Sequence, residues 1–204
     1  MELIDIVDEN NNLTGQIEER WTAYEKGLWK RTVSCWIMNK NGEILMQKRT
    51  ANKRRNPNKW AKTGGQVDSG ETVEEAIFRE VKEEIGIEIP KNQIIPYKIV
   101  KSDEVNKRFT YSYLFIVDYK VEDYILQEDE VAEVKYFTIE ELEHAKKIGN
   151  TDFSFYKWDI DFFNEEMKVL KDRRKDIYMN FDENIRGGNF YETNRNNCKI
   201  SRRN

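Results

Sequence analysis

The 204 residues are enough to bury one large hydrophobic core, or one core with an appendage. Charged residues make up 35% and the net charge is -4, so the composition favours neither nucleic acid nor a membrane surface as a partner. No basic secretory signal is evident, and Cys35 and Cys198 form no disulfide framework, so we expect a reducing, cytoplasmic setting. Because His144 is the only histidine, carboxylates must supply any metal site.

Strands surround one helix in the first half of the chain. A hairpin is predicted by strand-like residues at 32–38, the turn signal Asn41-Gly42 and a returning strand at 43–48. The basic segment 48–62 is expected to be a loop. Thr72 and Glu75 have capping-box spacing at the start of a helix that Gly86 ends. Two earlier elements are also predicted, a short strand at residues 3–7 and a helix at residues 18–26.

The second half continues with strands at 94–100, 108–117 and 131–137, then a helix capped by Thr138 and Glu141. This order suits a mixed sheet between helices, so residues 1–150 are expected to form one α/β domain. Residues 151–204 are expected to add a helical extension and a polar tail. The extension would be a long amphipathic helix at 159–181, and the tail would begin near Asn184.

One segment, residues 65–87, carries the chemistry. Gly65 is followed after five residues by Glu71, and after seven more by Arg79-Glu80-Val81-Lys82-Glu83-Glu84-Ile85-Gly86-Ile87. Glu80, Glu83 and Glu84 have the spacing that places side chains on one face of a helix. Such a cluster of hard oxygen ligands suits Mg²⁺ or Mn²⁺. Arg79, beside that face, can hold a carboxylate by a two-point contact.

This pattern resembles the Nudix box at all of its specified positions. The resemblance implies an α/β/α sandwich and attack by a metal-activated water on a phosphorus atom of a small-molecule diphosphate substrate. By position, it implies Glu80 and Glu84 as principal metal ligands and Glu83 as a ligand or the general base. The Gly65 carbonyl would be a further ligand. Arg79 and Glu71 would support the site, and Glu130 is the alternative catalytic base, from a later loop.

A second resemblance covers about residues 1–147 and concerns the isopentenyl diphosphate isomerase-like branch of the superfamily. It is carried by Leu28-Trp29-Lys30-Arg31, Gln47-Lys48-Arg49 and Lys53. It implies that Arg49 and Lys53 bind the substrate diphosphate. The isomerase itself, however, has a catalytic cysteine before the helix and histidine metal ligands, whereas this chain reads Lys62-Thr63-Gly64-Gly65 there.

Three hypotheses follow from the sequence. The leading one is a Mg²⁺-dependent hydrolase that cleaves the diphosphate linkage between a nucleoside diphosphate and another moiety. The alternatives are an isomerase-like protein and a non-catalytic nucleotide-binding module. The aromatic extension is expected to pack on its own domain or on a second copy of the chain, which makes a homodimer one candidate assembly.

Overall fold

Nine strands and four α-helices follow one another in residues 2–103, 106–186 and 199–202, the parts of the chain that this computed structural model describes. The helices are α1 (Arg20–Glu25), α2 (Val73–Ile85), α3 (Ile139–Lys147) and α4 (Ile160–Arg186). The strands are β1 (Leu3–Val7), β2 (Leu13–Glu19), β3 (Lys30–Asn39), β4 (Ile44–Arg49), β5 (Trp60–Ala61), β6 (Ile95–Ser102), β7 (Arg108–Val117), β8 (Val131–Phe137) and β9 (Lys199–Arg202).

The chain divides into two compact units. The first comprises Met1–Trp36, Thr63–Phe115 and Arg195–Asn204, and the second comprises Ile37–Lys62 and Ile116–Asn194. In the first unit, β1 pairs with β2, and β6 runs antiparallel to β7 and parallel to β9, so the pairing is mixed. The apolar stripe of α2 is buried in this unit, as the spacing predicts, and consists of Ile77, Val81 and Ile85.

The second unit is built around β4. This strand pairs antiparallel with the end of β3, with β5 and with β8. The capping box predicted at Thr138 and Glu141 is formed at the start of α3. The apolar face of α4 is buried within the same unit, through Phe163, Met167 and Leu170.

Strand β2 was not expected from the sequence. The prediction of one helix over residues 18–26 is wrong at its start, because β2 extends to Glu19 and α1 begins at Arg20. The Glu19 side chain accepts a hydrogen bond from the Thr22 backbone N–H and caps the helix. No residue of β2 is buried, and Leu13 and Ile17 are exposed. A strand without a buried face lacks the alternating apolar pattern that identifies a strand.

The C-terminal segment is described only in part. Helix α4 spans Ile160–Arg186, close to the predicted 159–181, and β9 lies within the predicted polar tail. Residues 187–198 of that tail lie outside the described residues. Among the helices that are described, none is both long enough and apolar enough to cross a membrane.

Candidate active site

Helix α2 and the loop before it are held by local interactions. The Thr72 side chain accepts a hydrogen bond from the Glu75 backbone N–H, and the Glu75 carboxylate accepts one from the Thr72 N–H. Gly86 ends the helix in the left-handed conformation, with φ of 73°. Gly64, in the preceding loop, has φ of 146°, and a Cβ there would overlap the Val33 carbonyl oxygen. Only glycine therefore lets this loop lie so close to β3.

The same loop contacts the carboxylate face of α2. The Gly64 backbone N–H donates to the Glu84 carboxylate at 3.1 Å, and Glu84 is only 2% exposed. A Cβ on Gly65 would overlap the Glu80 carboxylate. The Gly65 carbonyl accepts a hydrogen bond from the Val33 N–H at 2.9 Å, which leaves its second lone pair for another partner. The structure thus brings Gly65 and Gly64 against Glu80 and Glu84, respectively.

Arg79 organises the carboxylates around it. Its Nε and Nη2 each donate to Glu71 at 2.9 Å, in a two-point contact. Its Nη1 donates to Glu80 at 2.9 Å and to Glu83 at 3.1 Å. The hydrogen bonds to Glu71, followed by the charge of Glu80, raise the pKa of the Arg79 guanidinium, although burial opposes this. Arg79 therefore stays charged and fixes the directions of three carboxylates.

The donor types of these residues suit a divalent cation. They are three carboxylates on one helix face and a backbone carbonyl, the hard oxygen ligands that Mg²⁺ and Mn²⁺ prefer. Among the described residues, however, no three His, Cys, Asp or Glu side chains are grouped so that they could hold a metal ion. In this arrangement the Arg79 guanidinium holds Glu80 and Glu83 toward itself.

Arg49, Lys53 and Glu130 lie in the second unit, whereas the box lies in the first. Lys53 Nζ is 2.5 Å from Glu130 Oε1. Arg49 pairs with Val131 in the β4–β8 ladder, and its Nε donates to the Arg55 carbonyl at 3.1 Å. The two cations expected to bind diphosphate and the alternative base are therefore neighbours within one unit.

Other residues singled out in the sequence have structural roles or are exposed. Cys35 is buried in β3, and its N–H donates to the Thr63 carbonyl. His144 lies on the exposed side of α3. Trp60 packs edge-on against Phe137, with ring centroids 5.1 Å apart.

A buried ion pair in the second unit was not predicted from the sequence. Lys62 Nζ is 3.1 Å from Glu166 Oε2 in the second unit, with side-chain exposures of 11% and 1%, and it lies 5.1 Å from the centroid of the Trp158 ring. A signal was present in the sequence. Glu166 stands three residues after Phe163 and one before Met167, inside the apolar stripe of α4. A carboxylate at a core position of a helix indicates a buried partner.

The chain belongs to the Nudix family. The family model for the NUDIX domain matches residues 28–159, which is more than half of the chain. An uncharacterised Nudix hydrolase of Clostridium acetobutylicum is 33% identical over 69% of this chain and 72% of its own length. A second, of Listeria monocytogenes, is 33% identical over 73% of this chain and 87% of its own. The protein is accordingly a hydrolase that acts on pyrophosphate bonds in small molecules.

Solved structures agree with the predicted α/β/α sandwich. A Deinococcus radiodurans protein superposes with a TM-score of 0.64, covers 83% of this chain and 98% of its own, and is 23% identical. A MutT protein of Methanosarcina mazei superposes with a TM-score of 0.50, covers 72% of this chain and 96% of its own, and is 26% identical. The isopentenyl diphosphate isomerase-like branch stays a prediction.

Proposed function

We propose that this chain hydrolyses the diphosphate linkage between a nucleoside diphosphate and another moiety, with Mg²⁺ or Mn²⁺ as cofactor. The observation that carries the proposal is the carboxylate face of α2, where Arg79 holds Glu80 and Glu83 and the Gly64 N–H donates to Glu84. A nucleotide substrate is also supported by a nucleoside triphosphatase of Escherichia coli, which is 35% identical over 39% of this chain and 55% of its own length.

Each residue of the face has a role in this proposal. Glu80, Glu84 and the Gly65 carbonyl would hold the cation. A divalent cation bound there supplies charge neutralisation at the phosphate oxygens and a more acidic water. Glu83 is the most exposed of the three carboxylates, with 53% of its side chain accessible. It can therefore meet a water molecule at the surface, as a ligand or as the general base.

Arg49 and Lys53 would bind the substrate diphosphate, and Glu130 is the alternative base. Lysine and arginine recognise phosphate by charge and by several N–H donors. Arg49 is the last residue of β4, and Lys53 lies in the basic loop that follows, before β5. Loops on a rigid sheet are the usual place for substrate-binding residues.

A substrate panel tests the proposal. The purified chain with Mg²⁺ or Mn²⁺ is incubated with nucleoside triphosphates, dinucleoside polyphosphates and nucleotide sugars, and the products are identified. Glu83→Gln and Glu84→Gln should each lower turnover at least a hundredfold. Glu74→Gln, an exposed change in the first turn of the same helix, is the matched control and should keep wild-type rates. If wild type releases no phosphate product from any nucleotide, the proposal is wrong.

We also propose that residues 1–150 form the catalytic domain and that 151–204 extend it. The family match to residue 159 and the start of α4 at Ile160 support a change of role near this point. Tyr178 and Met179 are exposed late in α4 and offer a contact to a second copy of the chain. Light scattering of the full chain, compared with a Tyr178→Ser/Met179→Ser variant, tests that assembly. An unchanged mass would remove this contact as a dimer interface.

A further inference from the structure

Lys53 and Glu130 are in contact at the corner where β4 ends and β8 begins. The Lys53 ammonium lies 2.5 Å from the Glu130 carboxylate, and both side chains are largely covered, with exposures of 20% and 28%. Lysine has a flexible stem and a compact charge that can turn from one anion to another. The contact therefore places a carboxylate where an incoming phosphate oxygen would bind the same ammonium.

Backbone contacts keep Glu130 at this position. The Thr50 N–H donates to the Glu130 carbonyl at 3.0 Å, and the Thr50 hydroxyl donates to the Asp129 carbonyl at 2.9 Å. The Glu130 N–H in turn donates to the Gln127 carbonyl at 2.9 Å. Since the backbone on both sides is hydrogen-bonded, the Glu130 carboxylate is presented to Lys53 by the fold rather than by a chance surface contact.

We propose that Glu130 is a built-in competitor for the diphosphate-binding site of Lys53. In the free protein, Lys53 pairs with Glu130. When a diphosphate binds, Lys53 turns to a phosphate oxygen and the Glu130 carboxylate is released from its partner. This rests on the proposed function, because it assumes that Lys53 binds the diphosphate. A diphosphate carries more negative charge than one carboxylate, so it displaces Glu130 when it is bound.

This exchange of partners links Lys53, which was predicted to bind diphosphate, with Glu130, which was predicted separately as the alternative base. In the free protein, Lys53 pairs with one of the two oxygens of the Glu130 carboxylate. Release by substrate would free that oxygen when a diphosphate is in place. Lys53 would thus pair with Glu130 in the free protein and with phosphate in the complex.

Binding of inorganic pyrophosphate tests the competition directly. Its dissociation constant is measured by isothermal titration calorimetry for wild type, Glu130→Gln, Lys53→Gln and the double variant. Glu130→Gln should bind pyrophosphate roughly two- to fivefold more tightly, the range of a partly exposed ion pair. Lys53→Gln should bind pyrophosphate more weakly than wild type does. The double variant should bind it no more tightly than Lys53→Gln. Glu128→Gln, which removes an exposed charge from the same loop, is the matched control and should leave binding unchanged.

Each outcome decides the proposal. Equal tightening by Glu130→Gln and Glu128→Gln would indicate a general charge effect and overturn it. Tighter binding by the double variant than by Lys53→Gln would also overturn it. Wild-type affinity for pyrophosphate in Lys53→Gln would overturn it as well. Thermal unfolding of each variant confirms that the fold is retained. Hydrolysis of the substrate panel is a separate measurement, so an inactive protein with the expected binding pattern would contradict the proposed function and not the competition.

Discussion

Removing one partner of the Lys62–Glu166 pair should cost much more stability than breaking the other ion pairs of α4. Glu166→Gln keeps the shape of the side chain and removes its charge, which leaves the Lys62 ammonium in a site where both side chains are almost fully covered. Removing one partner of a buried pair costs about 3–5 kcal/mol. The Trp158 ring lies 5.1 Å from Lys62 Nζ in a cation–π contact that does not involve Glu166, so its contribution cancels between the two proteins. We expect a loss of about 3–5 kcal/mol in the free energy of unfolding.

Urea unfolding followed by tryptophan fluorescence measures this loss. The matched control is Glu143→Gln, which breaks the Lys171–Glu143 pair between α3 and α4, where the side chains are 38% and 35% exposed. An exposed pair contributes about 0–1 kcal/mol, so the control should stay close to wild type. The Lys62→Met/Glu166→Leu variant should recover much of the loss, because apolar side chains can replace a buried pair. If Glu166→Gln lowers the free energy of unfolding no more than Glu143→Gln does, burial does not determine the cost of breaking this pair and the reasoning is refuted.

Three further changes have expected outcomes. Gly65→Ala forces the Glu80 carboxylate to move, so kcat should fall roughly tenfold or more with little change in Tm, and unchanged kcat would contradict the close approach. Arg79→Lys removes the two-point contact with a neighbouring carboxylate and should raise the Mg²⁺ concentration for half-maximal activity roughly tenfold, whereas an identical Mg²⁺ titration would argue against this role. The Arg174 hydrogen bonds lower the pKa of Glu140. The pair therefore contributes its full stability at pH values above the ordinary glutamate pKa, and this contribution is lost as the pH falls through the lowered pKa. Glu140→Gln should therefore be less stable than wild type at pH 7 and equal to it in strong acid, and a pH-independent difference in urea midpoint would contradict this.

Features that depend on neighbours in sequence were predicted well. Helices α2 and α3 begin where capping boxes stand, because the capping side chains and the N–H groups that they bind lie within three residues of each other. The carboxylate face of α2 follows from helical periodicity in the same way. Arg79 was expected beside this face, but its two-point contact with Glu71 depends on how the loop returns, which only the structure shows.

Contacts between distant segments were not predictable from local patterns. Lys53 and Glu130 were both predicted as site residues, yet no local pattern pairs them, since the pairing follows from the β4–β8 ladder. Strand β2 was missed for a different reason, because its side chains cover no core. Periodicity reports burial, so it cannot identify a strand that is held mainly by backbone hydrogen bonds.

The fixed spacing of the Nudix box gathers several carboxylates around Arg79. One guanidinium contacts Glu71, Glu80 and Glu83 and lies 3.8 Å from Asp68, so these five side chains together carry excess negative charge. Desolvation raises the pKa of Asp68 despite the opposing charge of Arg79, which indicates that the guanidinium does not fully offset the burial of this carboxyl. Like charges held together by a rigid helix and loop cannot separate to relieve their repulsion. A divalent cation bound there would relieve this repulsion and would supply charge neutralisation for a diphosphate.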